Sequence, residues 1–316
     1  MRRPLGAEPV RGLRWQEGRL PAAARRDGLD VFFAPAYACP LGLDVPRVTT
    51  VHDMSFFAIP DDFALLDGMR RRATVGASIP ASRRLLAVSD FTRREIAAFF
   101  PAAAGRVVVT PHGADDDLKA PPPREAARAR LGLRGPMVLT VGTILNRRCL
   151  PVLFNATARL RRAWPDLTLE VVGENRTHPH LDLPALARRT GLGDGARLSG
   201  FVGEAALADR YAAADAAVFL SEYEGFGLPA LEAMARGVPV VTSTRPALGE
   251  IFAGAALLVD PRDAPAVADA LDRVLRDPAL RADLVARGRA LAARHSWAAC
   301  AQLTRAALQE AAEGTE

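Results

Sequence analysis

Short apolar runs alternate with stretches of helical periodicity along almost the whole of this 316-residue chain. Such short runs are typical of strands that are buried on both faces of a parallel sheet. The predicted strands lie at 30–34, 47–52, 84–88, 106–110, 137–142, 167–172, 196–200, 216–220, 238–242 and 256–259. The predicted helices lie at 62–79, 90–99, 149–163, 204–213, 228–236 and 263–275. The alternation predicts an α/β fold built on parallel sheets.

A charged and proline-rich segment interrupts the alternation once. The sequence DDDLKAPPP at 115–123 has the composition of a linker, and a new apolar run begins at Met137. We therefore predict a first domain at 1–117 and a second domain at 118–300. The first domain is expected to be incomplete, because no glycine-rich strand–turn–helix unit opens it and its first strands would leave an unpaired sheet edge.

Composition limits the class of protein. Hydrophobic residues make up 49% of the chain, which is enough for sizeable cores. No apolar run approaches the roughly 20 residues of a membrane-spanning helix, and the first residues contain no apolar segment of a secretory signal. The three cysteines are far apart and form no CxxC pair, so they support neither a disulfide framework nor a zinc site. We expect a cytoplasmic protein without a bound metal.

The net charge of +5 comes entirely from the first part of the chain. Residues 1–113 contain 16 arginines and 11 acidic residues, whereas the remainder has 25 of each sign. Three interpretations stay open: solvated helix faces, peripheral contact of the N-terminal domain with an anionic membrane surface, or nucleic-acid binding. Nucleic acid is the weakest of the three, because no aromatic stacking platform accompanies the basic residues.

The most informative motif is EGFGLPALEAM, which begins at Glu224 and follows the apolar run 216–220. Gly225, Phe226 and Gly227 form a turn, and Pro229 suits the first turn of a helix. A strand, a glycine-rich turn and a helix point backbone N–H groups and the positive helix end at an anion. The carboxylates of Glu224 and Glu232 suit hydroxyl groups, so together the features predict a sugar nucleotide as ligand.

A second motif follows the predicted strand 137–142. Gly142 ends this strand, and Arg147 and Arg148 stand in the loop before the next helix. Ligands bind at the carboxyl ends of strands in open parallel sheets, and guanidinium groups bind phosphate in a bidentate manner. The pair is therefore a candidate diphosphate site. The alternative is that both arginines are simply exposed in a loop and bind no ligand.

These motifs together resemble family 4 of the retaining glycosyltransferases, which have two Rossmann-like domains facing each other across a cleft, the B-type architecture. The resemblance extends over about 30–312 and is strongest for YEGFGLP at 223–229, EAM at 232–234 and GVPVV at 237–241. Arg147 and Arg148 align with the Arg-Lys pair of the family. The branch resembled includes many bacterial mannosyltransferases.

The resemblance implies a role for each matching residue. Glu224 would contact the hydroxyls of the donor sugar, and Glu232 would accept hydrogen bonds from the ribose. Arg147 and Arg148 would neutralise the leaving diphosphate, and His52 would lie near the transferred sugar. Gly142 and the turn residues would complete the donor site; the turn consists of Gly225, Phe226, Gly227 and Leu228. A final helix at 301–316 would cross back to the first domain.

The implied function is retaining, metal-independent transfer of a hexose from a nucleoside-diphosphate sugar to a glycan or lipid-linked acceptor. Mannose is the hexose that the resemblance favours. No cofactor is implied beyond the donor. Three departures from the family pattern are Arg148 in place of Lys, Cys149 in place of a polar amide and His112 in place of Asn. The absent N-terminal glycine-rich loop keeps one alternative open, an inactive nucleotide-sugar-binding partner protein. A sugar-nucleotide epimerase on a similar fold is a further alternative.

Overall fold

The computed structural model describes residues 15–114 and 122–314. The strands are β1 Phe32–Ala34, β2 Arg47–Val51, β3 Arg84–Ala87, β4 Val107–Val109, β5 Met137–Val141, β6 Thr168–Val172, β7 Ala196–Ser199, β8 Ala216–Phe219, β9 Val240–Ser243 and β10 Leu257–Val259. Each coincides with a predicted strand to within two residues at either end. The predicted domain boundary at residue 117 and the acidic run at 115–117 lie outside the described residues.

The helices flank these strands. They are α1 Leu20–Asp27, α2 Ser55–Ala58, α3 Leu65–Ala81, α4 Asp90–Phe99, α5 Arg124–Arg130, α6 Leu150–Leu160, α7 Leu183–Arg189, α8 Glu204–Ala213, α9 Leu228–Ala235, α10 Leu248–Ile251, α11 Ala264–Arg276, α12 Pro278–Arg294 and α13 Trp297–Glu313. Short 3-10 segments include Pro60–Asp62 and Asn146–Arg148. Among the described residues, no helix is both long and apolar enough to cross a bilayer.

Two parallel sheets confirm the predicted α/β class. The first has four strands in the order β1-β2-β3-β4, and the second has six in the order β10-β9-β8-β5-β6-β7. In the second sheet the chain builds outward from β5 to β7 and then returns to the other side with β8. The reversal of strand order between β5 and β8 makes this sheet doubly wound and Rossmann-like. In the described part of the first sheet, the strands follow chain order without such a reversal.

The chain divides into two compact units. The first comprises Met1–Ala58, Leu65–Thr110 and Ala301–Glu316, and the second comprises Ile59–Ala64 and Pro111–Cys300. The second unit therefore includes a short segment from the middle of the predicted first domain. Most of α13 belongs to the first unit, where Ala307 and Ala311 pack against Val48 of β2 and Leu86 of β3.

Helix α11 shows how sequence places these elements. Asp263 caps its N-terminus, because the carboxylate accepts a hydrogen bond of 2.9 Å from the N–H of Ala266. Val267, Leu271 and Val274 recur at helical spacing and are fully buried. They join the main core of the second unit, which lies between the six-stranded sheet and its helices.

Candidate donor-binding site

The site lies where strand order reverses in the second sheet. Strands β5 and β8 are paired in parallel, with Val138 opposite Ala216 and Leu139 opposite Ala217. Their carboxyl ends therefore meet at one edge, and the loops that follow them carry both motifs predicted from the sequence. Ligands of open α/β sheets bind in the crevice that forms at such a reversal.

The turn after β8 is fixed by Gly227. This residue precedes the first residue of α9 and has a φ of 102°. Residues other than glycine rarely adopt this backbone conformation. A Cβ atom at Gly227 would lie 2.5 Å from Leu248 Cδ2 and 3.0 Å from Phe252 Cε2. The turn thus packs directly on α10, and Pro229 occupies the first turn of α9 as predicted.

The two arginines and Glu224 form one charged cluster. Glu224 Oε1 lies 3.1 Å from Arg148 Nη1 and 3.6 Å from Arg147 Nε. The same oxygen accepts a hydrogen bond of 2.9 Å from Ser221 Oγ. The side chains of Arg147 and Glu224 are each 10% exposed. Low exposure strengthens the attraction between these charges, because little water screens it.

Backbone contacts hold the two motif loops together. The N–H of Glu222 donates to the carbonyl of Arg147 at 2.9 Å, which joins the loop after β8 to the loop after β5. Cys149 has a φ of 51° and connects the 3-10 segment to α6. The guanidinium of Arg148 lies 4.1 Å from the ring centroid of Phe219, so the last residue of β8 also supports its position through a cation–π contact.

Gly142 and Gly173 allow the loops after β5 and β6 to approach each other. Gly142 has a φ of 126°, and its N–H donates to the carbonyl of Val172 at 3.0 Å. Gly173 has a φ of 146°, and a Cβ atom there would overlap the carbonyl oxygen of Gly142. Gly142 also faces α9, since its own Cβ would lie 3.4 Å from Pro229 Cγ. Side chains are therefore absent from the floor of the crevice at this point.

Glu232 lies in the second turn of α9 and is half-buried. Its Oε2 is 3.4 Å from the hydroxyl of Tyr211, a long hydrogen bond. Burial and the nearby carboxylate raise the pKa of Tyr211, so the phenol stays protonated and able to donate. Arg236 stacks on the Tyr211 ring at 4.6 Å. Glu232 is thus oriented by α8 as well as by its own helix.

A cavity of about 440 Å³ lies beside these loops. Its walls come mainly from the carboxyl ends of β6 and β7 and from the start of α7; they include Ile144, Gly173, Glu174, Asn175, Leu183, Ser199 and Phe201. Phe201 is 94% exposed at this cavity. The space is large enough for an aromatic base, and ligand pockets combine such apolar walls with a few polar groups.

Comparison with known proteins identifies the family. A family model described as glycosyl transferases group 1 matches residues 123–291, and one described as glycosyltransferase family 4 matches residues 2–118. The chain belongs to the group 1 glycosyltransferases. This glycosyltransferase is 33% identical to O-antigen chain mannosyltransferase B of Escherichia coli over 96% of its own length and 80% of that relative's.

Other matches are less complete. The transferase is 36% identical to a D-inositol 3-phosphate glycosyltransferase of Kineococcus radiotolerans, covering 83% of its own length and 65% of the relative's. It thus spans slightly less than two thirds of that protein. Among solved structures, sucrose-phosphate synthase from Thermosynechococcus elongatus has a TM-score of 0.77 and 25% identity, covering 93% of this chain and 77% of that chain. The HepE protein of Anabaena in complex with UDP-glucose has a TM-score of 0.77 and 19% identity, covering 94% of this chain and 84% of that chain.

The structure brings together most predicted site residues of the transferase. Arg147, Arg148 and Glu224 share one cluster, and Gly142 and Gly227 shape the adjoining loops. Phe226 is instead buried, with its ring 5.4 Å from that of His112 and 5.7 Å from that of His295. Its side chain therefore packs beneath the turn, while Gly225 and Leu228 continue the backbone on either side of it.

His52 belongs to the first unit and is described there by itself. It follows β2, and its Nε2 lies 2.9 Å from the carbonyl oxygen of Pro35. Because a carbonyl can only accept, Nε2 carries the proton in this arrangement. The ring also meets Tyr37 edge-on, with centroids 5.3 Å apart. The predicted role of His52 near the transferred sugar stays a prediction.

Two residues of the site were missed in the sequence. Ser221 orients Glu224, and its own N–H is held by Ser243 Oγ at 2.8 Å. Burial raises the pKa of Asp62, and the charge of the nearby Arg147 opposes this with a smaller effect. Neither residue belongs to a motif: Asp62 ends the 3-10 segment Pro60–Asp62, and Ser221 lies in the loop after β8. In the described part of the chain, no group of three or more His, Cys, Asp or Glu residues could hold a metal ion.

Proposed function

We propose that this group 1 glycosyltransferase transfers a hexose from a nucleoside-diphosphate sugar to a glycan or lipid-linked acceptor, with retention of anomeric configuration. The observation that carries the proposal is the contact of Glu224 with both Arg147 and Arg148 beside the start of α9. Two cations and a helix N-terminus form a site for a diphosphate. The carboxylate between them provides an acceptor for sugar hydroxyls.

Donor binding would exchange partners within this cluster. Glu224 is the counter-ion of the two guanidinium groups. A diphosphate carries more negative charge and can bind both guanidinium groups in a bidentate manner. It would displace the carboxylate, which would then accept hydrogen bonds from the sugar. One buried cluster would thereby hold the two parts of the donor on either side of the bond that breaks.

The same cations would accelerate the reaction. Breaking the glycosyl–phosphate bond leaves negative charge on the diphosphate, so Arg147 and Arg148 interact more strongly with the transition state than with the bound donor. We propose that their charge suffices for transfer without a divalent cation. The acceptor hydroxyl would attack the oxocarbenium-like carbon from the face that the phosphate leaves, and its proton would pass to that phosphate.

The cavity next to Phe201 is proposed to take the nucleotide base. It adjoins the Gly142 and Gly173 loops, which leave room for the diphosphate to reach the arginines. The UDP-glucose complex of HepE supports a nucleoside-diphosphate sugar as donor class. The mannosyltransferase relative makes mannose the first sugar to test, and the D-inositol 3-phosphate relative makes a phosphorylated polyol a further acceptor candidate.

A donor screen with matched variants tests the proposal. Purified protein would be incubated with UDP- and GDP-linked hexoses and candidate acceptors, with and without EDTA, and the anomer of the product read by NMR. Arg147→Ala and Glu224→Ala are expected to lower transfer by about a hundredfold, as is usual when one transition-state contact is lost. Arg159→Ala, an exposed arginine on α6, is the control. Equal activity of the three variants would reject the assignment.

The screen also separates the alternative function. Calorimetry that detects donor binding, together with no transfer or donor hydrolysis under any condition, would favour a nucleotide-sugar-binding partner protein. Inversion of the anomeric centre would reject the retaining mechanism but keep the donor site. Loss of activity in EDTA that is restored by a divalent cation would overturn the metal-independent scheme.

A further inference from the structure

A further cavity, of about 310 Å³, lies at the other end of the six-stranded sheet. Its wall includes Asp215, the residue before β8, and Pro239, the residue before β9. The donor motifs follow the carboxyl ends of β5 and β8, whereas this cavity lies at the amino ends of β8 and β9. Helix α9 runs from the donor turn toward Gly237 in the cavity wall, and its eight residues span about 12 Å. The cavity is therefore separate from the donor cluster.

Arginines from two helices border this cavity. Arg124, the first residue of α5, and Arg281, near the start of α12, form part of its wall. Val285 and Arg289 follow Arg281 at intervals of four residues, so all three lie on one face of α12. A Cβ atom at Gly237 would overlap the guanidinium group of Arg289. The glycine, with a φ of 74°, thus allows this guanidinium group to reach the cavity wall.

The cavity has a surplus of positive charge. Among the described residues that line it, Asp215 is the only acid. Its carboxylate already pairs with Arg124 at 2.6 Å and with Arg128 at 3.2 Å. Within the described ranges, Arg281 and Arg289 have no carboxylate partner, and Arg281 reaches only two backbone carbonyls in the last turn of α11, both at 3.4 Å. Two guanidinium groups at the cavity therefore have no counter-ion.

The contacts of these arginines differ in what they do for the fold. Arg124 has a structural role, because it donates to the carbonyl of Ala214 at 2.7 Å as well as pairing with Asp215. Arg281 and Arg289 make no contact of this strength in the described part of the chain. Folding therefore does not explain why their positive charges lie beside the same cavity.

We propose that this cavity is a second anion site, which binds the phosphate group of a small molecule. A guanidinium group binds phosphate through two parallel hydrogen bonds. A phosphate monoester has three acceptor oxygens and close to two negative charges, so it can accept hydrogen bonds from Arg124, Arg281 and Arg289 together. A carboxylate has a single charge and only two oxygens, and it would leave part of this set without a partner.

The size of the cavity limits the rest of the ligand. Its volume lies at the lower end of the range for small-molecule pockets. That space holds a phosphate group together with a small organic part, such as one sugar ring. A phosphorylated sugar is therefore the organic ligand class that fits, and inorganic phosphate is the other source of the same group. The inference does not depend on the transfer reaction, because the donor cluster is a different site.

The test is calorimetric titration of the full chain with glucose 6-phosphate, with inorganic phosphate and with glucose. The donor cluster also attracts phosphate, so each titration is repeated with the Arg147→Ala variant. Both phosphate probes are expected to bind the variant, and glucose is not. Binding should weaken as salt is raised. Tighter binding of glucose 6-phosphate would identify a sugar phosphate as the ligand class, whereas equal binding would identify free phosphate.

Variants assign the bound phosphate to the cavity. Arg281→Gln and Arg289→Gln, each made in the Arg147→Ala protein, should raise the Kd about tenfold or more, because each removes a charge-assisted hydrogen bond. Arg289 is exposed, so its change tests the proposal even if the Arg281 variant does not fold.

Arg287→Gln is the matched control. Arg287 belongs to the same helix but points away from the cavity, since it lies two residues after Val285, and it pairs with Asp283. Its variant should bind phosphate like the parent protein, and circular dichroism should show which variants are folded. Absence of phosphate binding in the Arg147→Ala protein would overturn the proposal. So would an equal Kd for the Arg281, Arg289 and Arg287 variants. Neither result would change the outcome of the donor screen.

Discussion

Arg148 and Glu224 lie 3.1 Å apart although they come from loops that follow two different strands. The contact exists because β5 and β8 are neighbours in the sheet, which follows from the reversal of strand order. Arg148 is further supported by the ring of Phe219 at the end of β8. Its position is thus determined by the fold.

Arg148→Lys is predicted to keep part of the activity. Lysine keeps the charge but lacks the planar fork that stacks on Phe219 and binds phosphate at two points. We expect kcat to fall about tenfold for lysine and on the order of a hundredfold for Arg148→Met, which also removes the charge. Steady-state kinetics with the donor found in the screen would measure both. A methionine variant as active as the lysine variant would contradict a charge-based role.

Gly227→Ala is predicted to destabilise the second unit and to lower activity. The φ of 102° is strained for alanine, and the added Cβ would press on Leu248 and Phe252. We expect the free energy of unfolding to fall by about 1–3 kcal/mol, measured by urea denaturation. Gly105→Ala is the control, because no atom lies within 4 Å of its added Cβ. Unchanged stability of the Gly227 variant would show that the turn can relax.

Phe201→Ala is predicted to weaken donor binding with little effect on the chemical step. If the base stacks on this exposed ring, truncation removes binding energy that is the same in the ground state and the transition state. The donor KM should rise about tenfold while kcat changes less than about twofold. Kinetics at varied donor concentration distinguish the two parameters. A fall in kcat at unchanged KM would place Phe201 in a different role.

The thiol of Cys149 is predicted to resist alkylation in the folded protein. Burial raises its pKa from 9.0 to about 12, so the reactive thiolate is scarce at pH 8.5, whereas the partly exposed Cys300 is accessible to the reagent. Mass spectrometry after iodoacetamide treatment, with and without urea, would locate the label. Rapid labelling of native Cys149 would contradict the burial argument.

The same pKa shift predicts a loss of stability at high pH. In the unfolded chain the thiol ionises near its ordinary pKa of 9.0, whereas in the folded chain it stays protonated until about pH 12. Its contribution to the free energy of unfolding is therefore complete below pH 9 and falls as pH rises toward 12. Urea denaturation at several pH values should show a shallower decline for Cys149→Ala. Identical slopes would show that other groups dominate.

Strand positions could be predicted closely from the sequence, because apolar runs such as 137–142 and 216–220 are too short for buried helices and are bounded by turn residues. Helix α1 was missed, although Pro21 in its first turn and Gly28 in the left-handed conformation after its end are recognised signals. The apolar periodicity on which helix predictions depend is weak in this helix, because it has only eight residues and buries only Pro21 and Ala24. Local signals at its ends would have served better.

The candidate site was only partly predictable. The sequence located Arg147, Arg148 and Glu224 but assigned them to different parts of a ligand, whereas in the structure Glu224 contacts both arginines. The contact between side chains of these two loops depends on β5 and β8 being neighbours in the sheet, and the spacing of the motifs along the sequence does not reveal strand order. Arg161 illustrates the converse, since an arginine without a motif binds the carbonyls of Pro165 and Leu192 and serves the fold.

The cavity at the ends of β6 and β7 shares few residues with the charged cluster between β5 and β8. The exposed side chain of Phe201 could therefore be exchanged without disturbing Arg147 and Arg148. Variants with a new nucleotide preference should be obtainable by randomising only this wall. Engineering the choice of donor would then proceed without redesigning the machinery that breaks the glycosidic bond.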